Sequence, residues 1–251
     1  MNHFGLISEI DEKDPHTWEN RLFITTDIDW ACDEVIDFCF DFFKSLNARV
    51  TWFATHETKW NSLIHEEENY LLGLHPNFNP LLHGTSTEKK AEDILKKLMA
   101  SMPQTNVIRS HSTTQSSELL NMFAAHNFRY ESNMFIPIDA DTVVKPMRYY
   151  NGLIKIPYIW SDDVHMAYNW DYQTILKKLI GHKGLRVIDC HPIHIFLNSE
   201  NNERYIRSKP HLRNFSALKQ MVNTQSYGTR DFLKELITNA GSNNRQNRGT
   251  V

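Results

Sequence analysis

The chain reads as an α/β protein, a single domain built on a mainly parallel sheet in a doubly wound or (β/α)-barrel arrangement. Three observations carry that reading. About seven β-prone runs alternate with helix-periodic segments. A length of 251 residues, 41% hydrophobic and 23% charged, suits one ordinary core. The turn after the first strand, Thr26-Asp27-Ile28-Asp29-Trp30, has neither G-x-G-x-x-G nor G-x-x-x-x-G-K, which weighs against a nucleotide-cradling doubly wound sheet.

Taken in order, residues 22–26 (Leu-Phe-Ile-Thr-Thr) form the first β-prone run. Val35, Ile36, Cys39, Phe42, Phe43 and Leu46 then fall on one face of a helix. Residues 49–55 return to β-prone types, 56–69 read as helix, and 70–74 as the third strand. Thr85 and Glu88 have the spacing of a capping box ahead of a helix carried by Ala91, Ile94, Leu95, Leu98 and Met99. Further strands are predicted near 106–110, 128–131, 153–157 and 185–190, with helices at about 117–125, 171–180 and 229–237. The domain is predicted to span 1–238 without an internal repeat or linker. The polar, aperiodic stretch 239–251 reads as a disordered tail.

Composition narrows the partners. Lys and Arg number 27 against 30 Asp and Glu, a net charge of -3, and no dense basic run offers the face that nucleic acid or an anionic membrane requires. No apolar stretch approaches the roughly 18–20 residues of a membrane span, and the start lacks a basic region followed by an apolar one. A soluble, cytoplasmic protein is expected. Three cysteines suit a reducing compartment. Cys32 and Cys39 stand about 10 Å apart if both lie on the helix, beyond the ~7 Å reach of a disulfide.

Ionisable residues gather at the carboxyl ends of the predicted strands, where a barrel would bring them to one face. Strand alternation puts Asp27 and Asp29 on the same side of the first strand. One can bind a metal while the other accepts a proton, although Asp29 or Asp33 could equally cap the following helix. His75 emerges from an apolar strand into a Pro- and Asn-rich loop, with Asn79 four positions on and His83 beyond. Arg109 and His111 lie two apart, so a guanidinium able to hold a carboxylate ionised sits beside an imidazole. His191 and His194 close an apolar strand, and one of them could be a general acid.

These four segments, in this order from about residue 22 to 197, resemble the polysaccharide deacetylase family, the NodB-like carbohydrate esterases. The resemblance implies a distorted (β/α) barrel of about seven parallel strands holding one divalent metal. Thr26-Asp27-Ile28-Asp29 is similar to that family's Thr-Phe-Asp-Asp motif with a spacer, implying Asp27 as general base and Asp29 as metal ligand. In the family's His-x-x-x-His motif His75 matches, but Asn79 stands where the second histidine belongs. The third ligand is then Asn79, His83 or His111, the last standing at the proline position of an Arg-x-Pro motif whose arginine is Arg109. That arginine is implied to orient the base. Ile188-Asp189-Cys190-His191 resembles the family's strand ending in Leu-x-His and implies His191 as general acid, with His194 as the fallback. Residues 157–163 resemble a Trp- and Asp-containing motif that supports the acid.

The resemblance implies a metal-dependent amide hydrolase, an N-deacetylase of an amino sugar in lipopolysaccharide or other surface-polysaccharide assembly. His and carboxylate ligands suit zinc. The aromatics Trp30, Phe78, Tyr158 and Trp160 could stack on a sugar or simply pack the barrel. The alternatives are hydrolysis of a non-sugar amide or ureide, and a sugar-binding relative without activity, the latter motivated by the missing histidine.

Overall fold

The computed structural model of the protein describes residues 3–242. Its nine strands are β1 Leu22–Asp27, β2 Val50–Ala54, β3 Tyr70–Leu74, β4 Val107–Ile108, β5 Tyr130–Glu131, β6 Met147–Arg148, β7 Ile154–Lys155, β8 Trp160–Ser161 and β9 Arg186–Cys190. They form one sheet in the order β6-β7-β5-β4-β3-β2-β1-β9-β8. Every pairing is parallel except β6 with β7. The result is a single α/β domain whose curled sheet makes a half-barrel.

The seven predicted strands are all present, and the two additional ones are the two-residue segments at the sheet edges, β6 and β8. The central position of β1 follows from its composition. Leu22, Phe23, Ile24 and both threonines are buried, as a parallel strand covered on both faces requires.

The helices are α1 Asp33–Ser45, α2 Asn61–Glu66, α3 Asn79–Leu82, α4 Ala91–Ala100, α5 Ser117–Ala125, α6 Asp162–Ala167, α7 Tyr172–Gly181, α8 Pro192–Leu197, α9 Asn202–Ser208, α10 Phe215–Lys219 and α11 Thr229–Ser242. The face of α1 that carries Val35, Ile36, Cys39, Phe40 and Phe43 is buried, and the helix packs on α8. Three expectations are corrected. The helix predicted over 56–69 is confined to α2, because Thr58 makes a turn in which its hydroxyl accepts from the Trp60 amide. Thr85 and Glu88 form no capping box, since α4 begins only at Ala91 after Lys90. Glu88 instead accepts from the Ser86 and Thr87 hydroxyls and pairs with Lys97 at 2.9 Å. The stretch 239–242, predicted as part of the tail, belongs to α11, and 243–251 lie outside the described residues. All three cysteines are free, and Cys32 sits at the N-cap of α1 rather than within it.

Register is what builds the site. Asp27 pairs with Phe53, Leu74 sits beside Ala54 and Ile108, and Thr26 is level with Cys190. Asp27 and His191 therefore stand level, His75 and Arg109 lie two residues further along their strands, and all four gather at the carboxyl edge of the sheet. Beneath them the Phe53 ring lies against Gly73, where an added Cβ would meet the ring at 2.7 Å. Gly73→Ala should displace that ring and cost roughly 1–3 kcal/mol, seen as a Tm lowered by several degrees; an unchanged Tm would show that the contact relaxes freely.

At the opposite edge, Glu9 in a short 3-10 turn pairs at 2.6 Å with Arg21 and at 2.6 Å with Arg49, the residues just ahead of β1 and β2. Burial pushes the Glu9 carboxyl up, but the two guanidiniums outweigh it and hold it below its ordinary 4.5. A carboxyl with a depressed folded pKa stabilises fully above the unfolded value and loses that contribution as pH falls through the folded one. Glu9→Gln is expected to cost up to about 1 kcal/mol at neutral pH, with the difference from wild type shrinking towards zero in urea titrations well below pH 4.5. An equal loss at both pH values would mean that the ion pairs are not its source.

Candidate active site

Asp27 ends β1 with its side chain buried, whereas Asp29 lies past the strand in a turn at φ 43°. Strand alternation is thus not what brings the two carboxylates together. The Ile28 amide donates to the Phe53 carbonyl, the Thr55 hydroxyl donates to the Asp29 carbonyl, and this left-handed turn swings Asp29 back over the sheet. Neither Asp29 nor Asp33 caps α1, whose N-cap is Cys32.

Around Asp29 stand three imidazoles. Its Oδ1 is 3.1 Å from His111 Nδ1 and 3.5 Å from His75 Nε2, and its Oδ2 is 3.9 Å from His191 Nε2. Burial pushes the Asp29 carboxyl up, but the hydrogen bonds from His111 and His75 overcome this and hold it far below the usual carboxylate range. His75 is buried and donates from Nδ1 to the Arg109 carbonyl at 2.8 Å, which leaves Nε2 facing Asp29 and Asp27. His111 opens a tight turn in which Ser112 and Thr113 adopt φ of 54° and 51°. That turn is braced from below: Asn79 donates to the Ser112 hydroxyl at 3.1 Å and accepts from Thr114 at 3.3 Å.

The geometry therefore separates the three candidates for a third ligand. Asn79 commits its amide to the loop that carries His111, His83 is exposed at the end of α3, and His111 joins Asp29 and His75. The donor set suits a divalent ion: one carboxylate and two imidazoles offer atoms within 4.8 Å of one another. The second nitrogen of His75 is already fixed on a carbonyl, as ligating imidazoles require.

Arg109 is 1% exposed and fully engaged. Its Nη1 donates to Asp27 Oδ1 at 2.9 Å and to Asp189 Oδ1, and its Nε and Nη2 donate to the Ser132 carbonyl and hydroxyl, each at 3.0 Å. The rings of Phe53 and Tyr158 sandwich the guanidinium at 4.4 and 4.7 Å. Asp189 is a site residue that the motifs do not single out. Burial, with the Asp27 charge adding to it and Arg109 opposing, pushes its carboxyl up to about 7. A signal for it exists in the sequence, since an aspartate inside the apolar run Ile188-Asp189-Cys190 cannot be buried without a partner.

Across the cleft, His191 Nδ1 lies 2.7 Å from Asp162 Oδ1, and the other oxygen of that carboxylate accepts from the His191 amide at 2.7 Å. Burial disfavours charge on His191, but Asp163 and Asp162 outweigh it and push the imidazole well above its ordinary pKa. The segment 157–163 thus brings a carboxylate to the second nitrogen of His191. His194 is buried with Nε2 on Asp163 at 3.0 Å and Nδ1 on the Ser199 hydroxyl at 3.1 Å.

Asp27, Asp29, His75, Arg109, His111 and His191 line a cavity of about 300 Å³, bounded also by Phe135 and Tyr158. Of the four aromatics singled out in the sequence, Tyr158 faces this cavity and the half-exposed Trp30 packs edge-on to His111 at 4.8 Å. Phe78 and Trp160 belong to the core, against Phe123 and Phe232.

Residues 24–209 match the family model described as WbmS-like polysaccharide deacetylase. A solved structure from Bordetella bronchiseptica, described as a polysaccharide deacetylase involved in O-antigen biosynthesis, is 38% identical over 94% of this chain and 98% of its own, with a TM-score of 0.90. A Mycobacterium smegmatis polysaccharide deacetylase structure is far more distant, at 14% identity over 91% of this chain and 92% of its own with a TM-score of 0.41. No curated protein matches the chain. The chain belongs to the WbmS-like polysaccharide deacetylase family, as its four strand-end segments implied.

Proposed function

We propose that this protein is a divalent-metal-dependent N-deacetylase of an amino sugar, acting on a nucleotide- or lipid-linked cytoplasmic precursor of a surface polysaccharide of the O-antigen type. The observation that carries the reading is the placement of Asp27, locked to Arg109, and His191, locked to Asp162, on either side of the Asp29, His75 and His111 group. The 38% identical relative described as involved in O-antigen biosynthesis supports the substrate class. Among the described residues no helix is long and apolar enough to cross a membrane.

Asp29, His75 and His111 would hold the ion, zinc by the chemistry of the donors, and such an ion polarises an amide carbonyl and acidifies water. The protein's own residues divide the proton traffic. Asp27 takes the proton of the attacking water, and its contact with Arg109 keeps its carboxylate oriented. His191, held protonated by Asp163 and Asp162, gives its proton to the departing nitrogen as the carbon–nitrogen bond breaks, leaving acetate and a free amine. Asp162 fixes the imidazole so that Nε2 faces the cleft. Tyr158 and Phe135 give the sugar an apolar wall.

Asp27→Asn should lower turnover of acetylated amino sugars by about 10²- to 10⁴-fold while keeping the metal, whereas Asp29→Ala and His75→Ala should lose metal and activity together. Elemental analysis beside a release assay for acetate decides this, and equal metal loss in all three would contradict the division of roles. A second comparison concerns the departure from the family motif. His111→Ala should lose metal, and Asn79→Ala should keep it while slowing turnover through the loosened loop; the opposite result would make Asn79 the ligand.

A further inference from the structure

The proton-donor side of the cleft holds a second set of donors that the proposed chemistry does not use as such. His191 Nε2 lies 3.7 Å from Asp163 Oδ2, and His194 Nε2 lies 3.0 Å from Asp163 Oδ1. Donor atoms of Asp162, Asp163, His191 and His194 fall within 4.8 Å of one another. Both imidazoles have their other nitrogen occupied, His191 by Asp162 at 2.7 Å and His194 by the Ser199 hydroxyl at 3.1 Å. That arrangement fixes ring orientation, as the outer partners of metal-bound histidines do. A separate feature falls at the same place: a small cavity of about 30 Å³ bordered by Asp29, Asp163, His191, His194 and Tyr205. It exceeds the ~10–15 Å³ that a single water or ion needs.

We infer that this chain carries a second divalent-cation site, formed by Asp163, His191 and His194 beside the Asp29 carboxylate, whose occupation silences the enzyme. Asp29 can serve both positions because its Oδ1 faces His75 and His111 while its Oδ2 faces His191. The Asp163 side chain is 55% exposed, so an ion reaches the site from solvent. A cation on His191 Nε2 takes the lone pair that otherwise carries the transferable proton, and that proton leaves to solvent. The leaving nitrogen then has no donor. The inhibition rests on the deacetylase reading; the binding does not.

The test is equilibrium dialysis of the chelated, full-length protein against rising zinc, with bound metal measured by elemental analysis and acetate release followed in parallel. Wild type is expected to bind two equivalents, with turnover rising on the first and falling at least tenfold on the second. Asp163→Asn and His194→Gln should each weaken the second equivalent at least tenfold and retain the first, and His75→Ala should lose the first and retain the second. Asp163 is at the surface, so its substitution reports on binding even where a His194 variant fails to fold. A wild type that saturates at one equivalent, or a second equivalent indifferent to Asp163→Asn, overturns the site whatever the activity. Two selectively removable equivalents in a protein that hydrolyses no acetylated sugar leave the site standing and overturn the deacetylase reading instead.

Discussion

A guanidinium taken out of water is costly unless anions and hydrogen bonds replace its hydration, and the site of this protein is organised around meeting that requirement for Arg109. The partners come from different strands: Asp27 ends β1, Asp189 lies in β9, and Ser132 follows β5. Phe53 of β2 and Tyr158, just ahead of β8, close the two faces of the guanidinium plane. One side chain from the end of β4 thereby touches elements spread across most of the sheet. Any slip in register would strand a charge, so the parallel register and the site geometry are specified together.

The same requirement explains why the site's carboxylates differ. Asp29 is surrounded by imidazoles and remains ionised to low pH, while Asp189, deeper and sharing Arg109 with Asp27, is pushed up to about 7. Two carboxylates on one guanidinium leave at most one of them fully compensated. Both line the cavity, but Asp189 also accepts from the Thr25 hydroxyl at 2.8 Å and lies inside β9, whereas Asp27 ends its strand.

Much of this is readable in the sequence because parallel strands advertise themselves: β-prone runs such as 22–26 and 185–190 lead directly into residues that make the site. The hidden parts depend on contacts distant along the chain. Nothing local says that Asp29 reaches the site through a left-handed turn fastened by Thr55, or that Asn79 commits its amide to a loop 33 residues away. The capping box fails for a local reason, since Glu88 engages Lys97 and two neighbouring hydroxyls instead of a helix start.

Under the proposed metal assignment, the departure at Asn79 is a motif that changes while its task is kept. A histidine four residues after His75 would have to reach the ion from α3, whereas His111 comes from the strand-end loop next to Arg109. Arg109 is pinned by its carboxylate, serine and aromatic partners, and its carbonyl fixes His75, so a ligand only two residues further on inherits that rigidity. Ser112 and Thr113 carry the conformational cost in their positive φ values, and Asn79 holds them there. In the proposed reading the asparagine is the brace for a ligand that has moved, and the two changes make sense only as a pair.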